Sequence, residues 1–205
     1  MPLRTRTLAG GALAVAVAAL TVPAYAHDHP APTPPPTLEL IGAGGSGCPA
    51  GTAQVTLSPD STGFVASYKA FAISTPPDLA TATCTLTFKT TVAPDHRLVV
   101  RRATYRGDAA LAGDAQAEFK VRYSWRATGA HSDVVPFRHA GAFQDAWAST
   151  HDIPQPRVSA CGQDQLLISQ TMKLSGGGAH RFSVTGSEYG PTATELAVVP
   201  CTPGS

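Results

Sequence analysis

The sequence predicts an all-β fold: an antiparallel β-sandwich, immunoglobulin-like or jelly-roll-like, in a single domain with two disulfides. Three observations support this prediction. Short segments alternate apolar and polar residues, turn-forming residues separate these segments, and no long window keeps a helical period. Many short strands without intervening helices favour an antiparallel sandwich over an α/β fold.

The amino terminus has the pattern of a secretory signal peptide. Two arginines and an uninterrupted apolar run precede Ala24-Tyr25-Ala26, which fits a cleavage site. We expect residues 1–26 to be removed, residues 27–40 to form a proline-rich flexible tether, and residues 41–205 to form the β-sandwich domain. The apolar run is too short for a stable membrane span, so the expected location is secreted and extracellular.

The strands are predicted from their period of two. Phe119 to Arg126 alternates large apolar with polar and charged residues, so Tyr123 and Trp125 are expected in the core. The stretch Gly141 to Thr150 lacks this alternation, and we expect it to be a loop that exposes Trp147. The other strand candidates are Ala53 to Ser58, Gly63 to Ile73, Cys84 to Phe88, Arg97 to Tyr105, Gln165 to Leu174, His180 to Thr185 and Glu195 to Val199.

Four cysteines, Cys48, Cys84, Cys161 and Cys201, are widely spaced and include no C-x-x-C pair. Such spacing disfavours a zinc site, and an oxidising compartment favours disulfides. Three pairings are possible. We favour Cys48 with Cys84 and Cys161 with Cys201, because each bridge then joins neighbours in the sequence.

Charge limits the classes of partner. The chain carries 15 Lys and Arg against 14 Asp and Glu, and only 14% of its residues are charged. This balance lacks the strong positive field that nucleic acids attract, so no nucleic-acid partner is expected. The partner classes that remain are an extracellular protein or a glycan.

A local cluster of arginines is the main charged feature of the predicted strands. Arg97, Arg101, Arg102 and Arg106 lie close together in and just after the strand candidate Arg97 to Tyr105, and on a strand they are expected to divide between its two faces. They could hold a carboxylate or phosphate, because guanidinium groups bind these anions in a bidentate manner. They could equally form a solvated strand with cross-strand ion pairs.

The expected mature amino terminus, His27-Asp28-His29, suggests a metal site. A free amine, two backbone amides and an imidazole at the third position form a square-planar set of nitrogens, which copper(II) or nickel(II) prefers. The ligands would come from His27, Asp28 and His29. The sequence indicates no other cofactor.

A series of short motifs extends along much of the chain. They are Gly45-Ser46-Gly47-Cys48-Pro49, Gly51-Thr52, Leu57-Ser58-Pro59-Asp60, Cys84-Thr85-Leu86, Tyr105-Arg106-Gly107, Leu111 and Ser159-Ala160-Cys161-Gly162. In the order and spacing of these motifs the chain resembles a secreted family catalogued as domain of unknown function 4360. This resemblance implies an exported, disulfide-bearing, β-rich single domain, and it assigns no activity.

Three functions follow from these patterns. No constellation combines a nucleophile, a base and a stabilising group, so we predict no catalytic residues and favour a non-catalytic extracellular or cell-surface binding protein. The first alternative is copper(II) or nickel(II) binding at the amino terminus. The second is a secreted hydrolase that uses a carboxylate pair with one of the five histidines of the folded region. Whether the protein is an enzyme stays open at this point.

Overall fold

The computed structural model describes residues 35–58, 63–76, 79–154, 157–185 and 192–202. These residues form β-strands and connecting turns. In chain order the strands are β1 (Thr37–Gly44), β2 (Ala53–Leu57), β3 (Gly63–Tyr68), β4 (Ala72–Thr75), β5 (Leu79–Thr91), β6 (His96–Leu111), β7 (Gln116–Trp125), β8 (His131–Ala140), β9 (Phe143–Asp152), β10 (Gln163–Ser175), β11 (His180–Val184) and β12 (Thr192–Pro200).

The strands form two antiparallel sheets that pack face to face. The first sheet, sheet A, has the order β1-β5-β10-β7-β8. The second, sheet B, has the order β2-β3-β12-β6-β11-β4, and β9 pairs with the other edge of β6. The predicted antiparallel sandwich is therefore confirmed. Among the described residues, no helix is long and apolar enough to cross a membrane.

The apolar residues of the alternating segments form the core. Along β10, Leu166, Ile168, Gln170, Met172 and Leu174 are buried, and the residues that alternate with them are partly or fully exposed. The predicted core position of Trp125, at 2% exposure, is confirmed, and its indole Nε1 donates to the carbonyl of Arg157 at 2.9 Å. The core lies between the two sheets, as the period of two requires.

Both predicted disulfides are confirmed. Cys48 and Cys84 are fully buried, with Cα atoms 5.2 Å apart, and they tie the turn after β1 to β5. Cys161 and Cys201 have Cα atoms 6.3 Å apart and tie the segment before β10 to the end of β12. The second bridge therefore joins sheet A to sheet B. In the chain-entropy model, a disulfide that closes a loop of this length contributes about 4 kcal/mol to the stability of the folded chain.

Two boundaries differ from those expected. Strand β1 begins at Thr37, which pairs with Thr91, so the last residues assigned to the tether belong to sheet A. The single strand expected from Gly63 to Ile73 is two strands, β3 and β4. Between them the amide of Ala72 donates to the carbonyl of Ala70. The chain turns there and leaves its pairing with β2 and β12 to pair with β11.

The prediction of an exposed Trp147 in a loop is wrong. The residue lies in β9, which pairs with β6 along its length, and its side chain is only 7% exposed. The indole packs against three phenylalanine rings, Phe119, Phe137 and Phe182. Alternation is weak because β9 is an edge strand whose other side chains are partly or fully exposed. It therefore needs only one large apolar anchor.

Candidate ligand-binding site

A β-bulge in β6 places two arginines on the same face of sheet B. The pairing with β12 shifts by one residue, since Glu195 pairs with Arg102 and Leu196 pairs with Val100. Arg101 is the extra residue. As a result Arg101 and Arg102 are both exposed, although neighbours on a regular strand point to opposite faces. The alternation predicted for the arginine cluster therefore fails at this point.

The two arginines border a cavity of about 580 Å³ on the outer face of sheet B. Four branched aliphatic side chains and Asp152 complete its lining; the aliphatic ones are Val99, Ile153, Val158 and Val199. A bridge between Val99 and Val158 and a hydrogen bond of 2.7 Å from the Ile153 amide to the Arg101 carbonyl fix this wall. The cavity therefore combines an apolar lining with charged groups.

The two arginines differ in their partners. The Nε of Arg102 donates to Oδ1 of Asp152 at 2.7 Å across the β6 and β9 pair, which is the predicted type of cross-strand ion pair. The Arg101 side chain makes no hydrogen bond or ion pair with the residues that the structure describes. Arg97 is also engaged, because its Nη2 donates to Oγ1 of Thr202 at 2.9 Å. Arg101 alone in the cluster thus offers an unengaged guanidinium.

The outer face continues from this cavity along β6 and β9. We call this surface the β6–β9 strip, and it consists of Arg101, Arg102, Thr104, Arg106, Asp108 and Ala110 on β6 with Gln144, Ala146, Ala148, Thr150 and Asp152 on β9. Two further depressions lie along it. One of about 230 Å³ adjoins Arg106 and Ala148, and one of about 440 Å³ adjoins Asp108 and Gln144. The two depressions share Ala146 and Thr185 in their walls.

The described histidines offer limited chemistry. Oγ of Ser149 and Nε2 of His151 are 2.6 Å apart, which is the contact of a nucleophile with a base. No described carboxylate is recorded in contact with His151, and the pair lines none of the three depressions above. His96 contacts Asp95 at 2.7 Å, and His180 lies 3.5 Å from Asp114. The hydrolase hypothesis gains no assembled site from these contacts.

Metal-ligating side chains are scattered over the described ranges. Within residues 35–58, 63–76, 79–154, 157–185 and 192–202, no three His, Cys, Asp or Glu side chains come together as a metal site would need. His27, Asp28 and His29, the predicted copper ligands, lie outside the described residues. The amino-terminal metal site therefore stays a prediction.

We expect the chain that begins at His27 to bind one copper(II) ion. The amine, two amides and the His29 imidazole would supply the nitrogens of a square-planar site. Native mass spectrometry of protein recovered from culture medium, with and without one equivalent of copper(II), measures this directly. A variant without residues 27–29 is the control and is expected to lose the ion. Retention of copper by that variant, or a different mature terminus, would contradict the prediction.

The fold and this surface define a β-sandwich protein whose sheet B has an open outer face. The chain belongs to the family described as domain of unknown function (DUF4360), whose sequence profile matches residues 35–198. The expected resemblance is thereby confirmed. No curated protein matches the chain.

Five chains of solved structures show some similarity to this chain. One is the carbohydrate-binding module TmCBM61 in complex with β-1,4-galactotriose. It is 11% identical, the match covers 82% of this chain and 89% of that chain, and the TM-score is 0.29. A likeness this distant has no bearing on the ligand of the β6–β9 strip.

Proposed function

We propose that this protein is an exported, non-catalytic binding protein, and that the cavity beside Arg101 holds a ligand with a carboxylate group. One observation carries the proposal: the bulge in β6 presents an unengaged Arg101 guanidinium at the border of an apolar-lined cavity. A guanidinium in such a position supplies two parallel N–H donors to a carboxylate.

The charges around the cavity favour a ligand with one negative charge. Arg101 and Arg102 contribute two positive charges and Asp152 contributes one negative charge, so the lining carries one net positive charge. Asp152 is 77% exposed and lies on the same face, where it repels a doubly charged phosphate more than a singly charged carboxylate. Its contact with Arg102 also holds that side chain in place, which leaves Arg101 as the main anion donor.

The aliphatic lining requires that the ligand also present an apolar surface. Val99, Val158 and Val199 cannot hydrogen-bond, so a fully polar ligand would lose hydration there without gaining a partner. A sugar acid satisfies both demands, because one face of its ring consists of C–H groups while its carboxylate is charged. Glucuronate is therefore a suitable probe, and glucose is its neutral counterpart.

Arg101→Ala is expected to weaken glucuronate binding by roughly 10-fold to 100-fold, because a hydrogen bond to a charged group contributes about 1.5–3 kcal/mol. Titration followed by NMR chemical shifts measures the affinity. Arg101→Lys keeps the charge but loses the bidentate fork, and it should give an intermediate affinity. Arg126→Ala changes an exposed arginine in the turn that follows β7 of sheet A, outside the cavity, and is the control. Equal binding of glucose and glucuronate, or no effect of Arg101→Ala, would overturn the proposal.

A further inference from the structure

We infer that the Arg101 cavity is one end of a longer site, and that its ligand is a linear polysaccharide in which sugar acids alternate with neutral sugars. The chain would lie along the β6–β9 strip. This inference rests on the proposed function, because the same cavity holds one of the carboxylates. It adds the class of ligand and the remainder of the site.

The strip has the shape of a site for an extended chain. Arg102 pairs with Asp152 at one end and Ala110 pairs with Gln144 at the other. The distance between these pairs is roughly 27 Å, at about 3.4 Å for each strand residue. The three depressions follow one another in this direction, since their walls contain Arg102, then Arg106, then Asp108 of the same strand. A compact ligand would fill one depression, whereas a linear polymer can occupy all three.

Small side chains keep the middle of the strip low. Ala148 lies opposite Arg106, and Ala146 lies opposite Asp108. Between these pairs and the Arg101 cavity, the hydroxyls of Thr104 and Thr150 are 2.9 Å apart. No large side chain of β9 stands between the depressions on this face, since Ala146, Ala148 and Thr150 are its outward residues. A sugar ring can therefore lie close to the backbone and exchange hydrogen bonds with the threonine hydroxyls.

The spacing of the charges selects the type of polymer. The Arg101 cavity and the depression beside Arg106 are separated by roughly 13 Å along β6, at about 3.3 Å for each residue from Arg102 to Arg106, which is longer than one pyranose unit. The hydroxyls of Thr104 and Thr150 occupy the interval and suit a neutral sugar. At the far depression, Asp108 and Asp145 contribute two negative charges against the one positive charge of Arg181, so its wall is net negative. The two aspartates accept hydrogen bonds from sugar hydroxyls, and the net negative charge of this wall repels a carboxylate, so a polymer with a charge on every unit fits poorly.

Three sets of oligosaccharides test this inference on the full-length protein as secreted. Hyaluronan fragments alternate glucuronate with a neutral amino sugar, oligogalacturonides carry a charge on every unit, and cello-oligosaccharides carry none. We expect hyaluronan fragments to bind at least 10-fold more tightly as they lengthen from two to six units. Oligogalacturonides should gain less with length, and cello-oligosaccharides should not bind.

Ala148→Glu separates this inference from the proposed function. The substitution puts a bulky carboxylate in the middle of the strip, at an exposed position beside Arg106. It should abolish the gain with length and leave glucuronate binding unchanged. Ala72→Glu, at an exposed position of β4 in the same sheet, is the matched control and should change neither.

The outcomes are distinguishable. Glucuronate binding without any gain for longer hyaluronan fragments would overturn the extended site and leave the proposed function standing. An equal gain for oligogalacturonides would overturn the alternation of charged and neutral units. Absence of binding by glucuronate and by every fragment would overturn both proposals.

Discussion

Trp147→Ala is expected to lower the free energy of unfolding by about 3–5 kcal/mol, the usual cost of removing a buried large aromatic side chain. The indole closes the side of the sandwich where β9 meets the core. Its ring centroid lies 6.0 Å from that of Phe119, 4.9 Å from Phe137 and 5.8 Å from Phe182. Phe119 and Phe137 belong to sheet A, and Phe182 belongs to sheet B, so the substitution loosens contacts between both sheets.

Gly107 explains why the cavity left by this substitution would not close easily. The glycine pairs with Trp147 across β6 and β9, and a Cβ at Gly107 would lie 2.8 Å from the indole and 1.9 Å from the carbonyl oxygen of Ser183. The indole therefore rests directly on the backbone of β6. Because Gly107 has no side chain, it cannot fill the space that the indole leaves in Trp147→Ala. The free-energy cost of an unfilled cavity therefore adds to the cost of the lost apolar burial.

Urea denaturation followed by circular dichroism measures this effect. Trp147→Phe should cost less, because it keeps an aromatic ring and because the indole Nε1 that it removes has no hydrogen-bond partner among the described residues. Gln144→Ala, at an exposed position of the same strand, is the control and should change stability by no more than about 0.5 kcal/mol. A loss below about 1 kcal/mol for Trp147→Ala would contradict the core position of this ring.

Stability is expected to fall steeply above pH 10, by about 4 kcal/mol for each pH unit. Burial is the main cause, because it raises the pKa of Tyr68, Tyr105 and Tyr123 well above the ordinary value near 10. These phenols are 5%, 1% and 2% exposed. Above pH 10, each phenol stays protonated in the folded chain while the same group ionises in the unfolded chain. Each one therefore lowers the free energy of unfolding by about 1.4 kcal/mol for each pH unit.

The sign follows from the direction of these shifts. A group whose folded pKa is raised contributes its full stability below the unfolded pKa, here about 10, and loses it as pH rises toward the folded pKa. In the core, the neutral phenols are hydrogen-bonded. The hydroxyls of Tyr105 and Tyr123 meet between the sheets, and the Gln170 amide donates to the hydroxyl of Tyr68 at 2.6 Å. Ionisation of any one of the three would leave a buried charge in the core.

The alkaline transition can be measured from phenolate absorbance and circular dichroism on the same sample. Both signals should change together above pH 10, because the buried phenols ionise only when the chain unfolds. The double variant Tyr105→Phe and Tyr123→Phe replaces both partners of one hydrogen bond by apolar groups, but it also removes the bond of Tyr123 with the buried Thr194, so its stability near neutral pH should fall by about 1–3 kcal/mol. Above pH 10 its free energy of unfolding should fall by only about 1.4 kcal/mol for each pH unit, because Tyr68 is the one of the three buried phenols that remains. Ionisation of all phenols near pH 10 without unfolding would contradict the prediction.

The candidate site could be predicted only in part. The arginine cluster and its affinity for a carboxylate are visible in the sequence, and the ion pair of Arg102 with Asp152 is of the expected kind. A signal of the bulge is also visible, because Val99 and Val100 precede Arg101 and Arg102 without alternation. The register shift itself depends on Leu196 of β12, which is distant in the sequence, so local periodicity could not place it.

The sequence by itself determined the all-β class and the buried face of strands such as β7 and β10, and it favoured the observed pairing of the four cysteines among three possible ones. The class and the buried faces depend on a local period of two, which is a property of neighbouring residues. The favoured disulfides follow from pairing each cysteine with the next one along the chain. Only the tertiary structure decided that Trp147 is a core residue, that Arg101 borders a cavity, and that β9 lies beside β6. Those outcomes depend on which strands pair and in which register, and this is set by packing between residues far apart in the chain.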